Sequence, residues 1–95
     1  MSETTNKKRV MALSSLRRRA AAGDIDAQAS LGRALALGEL GKPDHVAAWV
    51  ALSRAASAGH AAARSDLAHL EANISPEDQI AAEAALKDAE DPAVS

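Results

Sequence analysis

Ser65, Asp66 and His69 are the residues whose types and spacing come nearest to hydrolytic chemistry. Residues three and four apart on a helix are neighbours, so the three would share one face. Acyl transfer by a Ser–His–Asp set needs the carboxylate on one imidazole nitrogen and the nucleophile on the other. It also needs donors for the oxyanion, and its members normally come from different elements. One helical turn cannot supply that arrangement, and a solvated helix face accounts for these residues better. The three histidines, His45, His60 and His69, raise a metal reading. There is no H-E-x-x-H and no pair of histidines at i, i+4, and the obvious oxygen ligand is Asp66 beside His69. One imidazole and one carboxylate fall short of a metal's donor set, so these read as surface histidines, with His60 at a helix start and His45 in a first turn. The glycines form neither G-x-x-x-x-G-K-[ST] nor G-x-G-x-x-G. No catalytic residue, cofactor or metal is expected, and the chain reads as non-enzymatic.

Arg17, Arg18 and Arg19, with Lys7, Lys8 and Arg9 upstream, make the best case for nucleic acid, because Lys and Arg neutralise phosphates. Consecutive residues fan around a helix, however, so the three arginines do not share a face. They occupy the last turns before Gly23, where cations meet the negative end of the helix dipole. Trp49 is the single aromatic residue, which leaves almost no surface for bases to stack on. Nucleic-acid binding through this basic helix stands as an alternative and is disfavoured.

The elements follow from composition. Alanine dominates the apolar fraction, there is no Phe, Tyr or Cys, and Val, Ile and Thr are too sparse to write strands. Alanine loses no side-chain rotamer entropy in a helix and lets helix axes approach closely. The fold class is therefore all-α. The absence of cysteine excludes disulfides and thiolate metal sites. The N-terminal MSETTNKKRV has no apolar core of a signal, and no apolar run nears the roughly 20 residues that span a bilayer. A cytoplasmic protein without membrane contact is the expectation. Charge is polarised: residues 1–33 carry seven Lys and Arg against three acids, whereas residues 66–95 carry one Lys against eight acids. Such polarity can steer partners or draw copies together head to tail.

Five helices are expected, at about 8–22, 25–38, 45–58, 60–72 and 76–90. Val10, Leu13, Leu16 and Ala20 give the first its apolar face. Ala27, Leu31 and Leu35 serve the second, Val46, Trp49, Leu52 and Ala56 the third, and Ala63, Leu67 and Leu70 the fourth. Gly23, Gly38 and Gly59 read as helix C-caps and Gly32 as a close helix crossing. Gly41 and Pro43 break the chain between helices two and three, and Asp44 is suited to cap the third. Ser75-Pro76-Glu77-Asp78 is a helix start, with a Ser cap, Pro at the first position and acids in the first turn. One domain over residues 8–90, with disordered tails at 1–7 and 91–95, is predicted.

The chain also resembles itself. Displaced by 36 residues, LRRRAAAGDIDAQASL lies over LSRAASAGHAAARSDL, putting Leu16 on Leu52, Ala20 on Ala56, Gly23 on Gly59, Ala27 on Ala63 and Leu31 on Leu67. A fixed period in this range signals stacked helical hairpins. These residues resemble the Sel-one-like repeat (SLR) family, relatives of the tetratricopeptide repeat (TPR). The family pattern A-x-x-x-L-G-x-x-Y-x-x-G is met by Ala27, Leu31, Gly32, Leu35 and Gly38. The following Asp and A-A-x-x-G are met by Asp44, Ala55, Ala56 and Gly59. The likeness covers about residues 10–86: one complete repeat, 23–58, and a half-repeat on each side. Leu35 stands where the family usually has Tyr, Ala68 replaces the second-repeat Gly, and Trp49 lies off the commonest aromatic position.

The resemblance implies a short SLR/TPR-like α-solenoid of stacked antiparallel hairpins whose groove or end face binds another protein. The groove helices would be the second and fourth, and Gln28, Arg33, Leu37, Arg64 and His69 are the candidate contacts. A small adaptor, regulator or inhibitor is the expected function. A self-associating structural or regulatory subunit, a homo-oligomer, is the first alternative, because one complete unit and two halves fall short of the roughly three repeats such arrays want.

Overall fold

The computed structural model describes residues 14–39 and 41–90. The expected tails, and the part of the first helix that holds Val10 and Leu13, lie outside the described residues. Within them the chain is all-α, with five helices and no strand: α1 over 14–21, α2 Ile25–Leu37, α3 His45–Ser57, α4 Ala61–Asn73 and α5 Pro76–Glu90.

The caps set the boundaries. Asp24 Oδ1 accepts from the Ala27 N–H at 3.0 Å, and Asp44 Oδ1 accepts from Ala47 at the same distance. Ser75 Oγ accepts from Asp78 at 3.1 Å, ahead of Pro76 and the acidic first turn. These satisfy N–H groups that a helix start leaves without partners. His60 does the same for α4, its Nδ1 accepting from Ala63 at 3.1 Å. For that reason α4 begins at Ala61, one residue later than the sequence pattern suggests.

The corner after α1 and the corner after α3 match bond for bond. Gly23 and Gly59 sit at φ 97° and 96°. The Gly23 N–H donates to Ala20 O and the Asp24 N–H to Arg19 O. The Gly59 N–H donates to Ala56 O and the His60 N–H to Ala55 O. Each is a helix end closed through a left-handed glycine, which satisfies carbonyls of the last turn. Side chains follow the same offset: Gln28 Nε2 donates to Ala20 O at 3.1 Å, and Arg64 Nε to Ala56 O at 3.4 Å.

α2 and α3 form an antiparallel hairpin whose loop is closed by the Asp44 N–H donating to Leu35 O at 3.0 Å. α4 lies beside α2 with their starts together, His60 Nε2 standing 3.2 Å from Asp26 Oδ1. α5 lies against α3 in the same manner, with His45 Nδ1 3.9 Å from Asp78 Oδ2. The hairpins thus stack into two layers with α3 at the centre, in contact with α2, α4 and α5. Among the described residues nine of the thirteen buried apolar side chains are alanine, so the bulk of that core falls to Leu35, Trp49, Leu52 and Leu70. Leu52, fully buried, packs where Gly32 lets α2 approach α3. Trp49 is also core, and its Nε1–H donates to Glu71 Oε1 at 3.3 Å, tying α3 to α4. Among the described residues no helix is long and apolar enough to cross a membrane.

Candidate functional site

The side-by-side placement of α2 and α4 leaves a groove of about 300 Å³ between them. Leu70 is its buried floor, and Ala36 forms part of one wall. Arg33 and Leu37 rise from α2, Asp66, His69 and Asn73 from α4, and His45 reaches in from the start of α3. Arg33 and His69 are exposed, and Leu37 is 59% exposed. Among the described residues Arg33 has no ion-pair partner, although Asp66 lines the same groove. Asn73 Nδ2 donates to the His69 carbonyl at 2.9 Å, holding that side chain along its own helix. The groove therefore offers an apolar wall, a guanidinium and an imidazole within one concavity.

Of the five candidate contacts, Arg33, Leu37 and His69 meet in this groove, and Gln28 and Arg64 do not. Gln28 and Arg64 stand at the two corners, each donating to the carbonyl eight residues before it. Their shared position in the 36-residue pattern is met by a shared structural task. Asp66 and His45 were missed as groove residues. The spacing of Asp66, three before His69, could have placed it there, whereas His45 enters only through the tertiary packing of α3.

The basic cluster divides as its helical spacing requires. Arg19 Nη2 pairs with Asp24 Oδ2 at 3.2 Å and Arg18 is exposed. Arg17 lines a second groove, of about 450 Å³, on the opposite side of α2 and α3. Ser65 and His69 are exposed and Asp66 half-buried on α4, and among the described residues no hydrogen bond joins the three. His60 is occupied as a cap, and His45 faces Asp78. Among the described residues no cluster of three or more His, Asp or Glu side chains is arranged to hold a metal ion.

Among the described residues Asp24 is the one group with a clear shift. The Ala27 N–H that it caps holds its carboxyl below the ordinary carboxylate range, and the Arg19 guanidinium adds to this, together outweighing the opposing effect of desolvation.

No protein-family model, curated protein or solved structure matches this chain.

Proposed function

We propose that this chain is a non-enzymatic, cytoplasmic protein-interaction module of the Sel-one-like repeat kind, which binds a partner protein in the groove between α2 and α4. The observation that carries the reading is the convergence of Arg33, Leu37 and His69 in one concavity. The groove sets an exposed leucine beside a guanidinium that has no ion-pair partner among the described residues. It suits a partner that brings an apolar side chain and an acceptor together. The matching corners at Gly23 and Gly59 support the repeat reading, because the same hydrogen bonds recur at the 36-residue offset that the sequence shows. Binding would act by complementarity of shape and charge, with no chemistry done on the partner.

The test is affinity capture from the source cells with the wild-type chain and with Arg33→Glu/Leu37→Asp, each with and without nuclease. Both positions are exposed, so the variant is expected to keep its helical content. A protein retained in stoichiometric amount by wild type, resistant to nuclease and lost with the groove variant, is the expected result. Equal retention by the variant sinks the groove as the binding face. Loss of everything on nuclease treatment turns the reading towards Arg17, Arg18 and Arg19.

A further inference from the structure

The second groove runs over α3, a helix with no fully exposed face along residues 45–56. From His45 to Ala56 every residue of α3 is buried or half-buried. A helix buried or half-buried on every side normally has neighbours all round it. Yet among the described residues Val46, Ala47, Val50 and Ala51 line an open groove of about 450 Å³, with Leu31 and Leu35 of α2 beside them. Two arginines, Arg17 from α1 and Arg54 from α3, stand on its lining, against one carboxylate, Asp44. Among the described residues neither arginine has an ion-pair partner. The groove is an apolar trough with positive charge on its walls, and it calls for an apolar helix with acidic flanks.

The chain carries such a helix. In α5, Ala82 is fully buried among the core residues, and Ile80 is 69% exposed. Two residues turn a helix by about 200°, which puts Ile80 on the pole opposite Ala82. Ala81 and Ala84 are exposed with it, and Glu77, Glu83 and Asp88 flank them, also exposed. Lys87, the single cation of this helix, stands two turns on from Ile80 on the same side, against these three acids. Ile80 gains nothing from water, and the acidic residues around it are opposite in sign to the arginines of the groove.

We infer that a second copy of this chain is the occupant of the groove over α3, and that it presents the outer face of its α5, with Ile80 in the trough and its acids against Arg17 and Arg54. The interface joins two different surfaces, so each copy carries one donor and one acceptor. Ala85 of α5 lies at the groove's edge, so donor and acceptor stand close together on the same copy. This assembly uses neither Arg33 nor His69, and leaves the groove between α2 and α4 free.

The experiment is sedimentation velocity on the full chain, from about 1 μM to about 1 mM, a range that brackets weak and moderate self-affinity. Wild type is expected to rise above the monomer mass as concentration increases. Ile80→Asp removes the donor and Arg17→Glu spoils the acceptor, and both are surface changes whose folding is checked by circular dichroism. Each should raise the dissociation constant by about tenfold or more. Mixing the two variants joins the intact donor of one to the intact acceptor of the other, and the mixture should exceed the mass of either alone. A wild-type chain that stays monomeric throughout overturns the inference, as does an Ile80→Asp variant that associates like wild type.

Discussion

Gly32 of α2 faces Leu52 of α3 so closely that a Cβ on the glycine would lie 2.7 Å from Leu52 Cγ, 2.9 Å from its Cδ2 and 3.2 Å from its backbone nitrogen. Gly32 is buried and Leu52 fully so. The contact fixes how near the axes of α2 and α3 can come. Alanine at 32 would gain about 1 kcal/mol of helix propensity. It would also meet a side chain enclosed on all sides and a backbone atom that cannot move alone. Overpacking of this kind costs about 1–3 kcal/mol, so the net effect of Gly32→Ala is a loss of stability. Urea unfolding should show a lower midpoint with an unchanged slope, and a midpoint equal to wild type would refute the close crossing.

Leu52 gives the complementary case. It is the largest fully buried side chain among the described residues, in a core otherwise built mainly from alanine. Truncation of a buried leucine costs about 2–5 kcal/mol, and a domain of this kind has about 5–15 kcal/mol in all. Leu52→Ala should therefore lower the thermal midpoint more than the same change at half-buried Leu67, a comparison that calorimetry of both variants makes directly.

The helices and their ends were legible because their signals are local. Asp24, Asp44 and Ser75 each stand one residue before a helix, and Gly23, Gly38 and Gly59 each close one. The role of Gly32 was legible too, since a glycine inside an apolar helix wants a packing reason. Half of the candidate groove was not. Gln28 and Arg33 look alike as polar residues off the repeat pattern, and only the path of the preceding corner decides that Gln28 bonds Ala20 O while Arg33 stands free in the groove. The open groove over α3 left a trace that could have been read: Val46, Ala47, Val50 and Ala51 deny that helix a solvated face.

His60 caps α4 with an imidazole in place of the usual carboxylate or hydroxyl. Its Nδ1 accepts from Ala63, so the ring proton belongs on Nε2, which faces Asp26 at 3.2 Å. His60→Ala removes the acceptor and should cost about 1 kcal/mol, whereas His60→Asn keeps an acceptor at the cap and should cost much less. Chemical denaturation of the two variants ranks them. Equal losses would mean that the imidazole acts by packing and not as a cap.

Asp24 predicts a dependence on acid. Its folded carboxyl titrates below its unfolded value because the Ala27 N–H and Arg19 favour the charged form. A group of this kind contributes stability that is present above the unfolded value, about pH 4, and is lost as pH falls through the lower folded value. Asp24→Asn can still cap α2 but cannot titrate. Its stability relative to wild type should therefore be poorest at neutral pH and should approach wild type in acid. A difference that stays constant from neutral to acid would show that charge at this cap contributes nothing.

Ser53 offers the opposite sign of effect. Its hydroxyl is buried on α3, and among the described residues Oγ has no hydrogen-bond partner. A buried polar atom without a partner has given up its bonds to water for nothing, at a cost of about 1–3 kcal/mol. Alanine at this position removes the oxygen and improves helix propensity, while the cavity left by one oxygen atom is small. Ser53→Ala is thus expected to stabilise the fold by about 1 kcal/mol, raising the denaturation midpoint at an unchanged slope. A lower midpoint would mean that the hydroxyl is satisfied in solution, by water entering through the neighbouring groove or by the carbonyl one turn back.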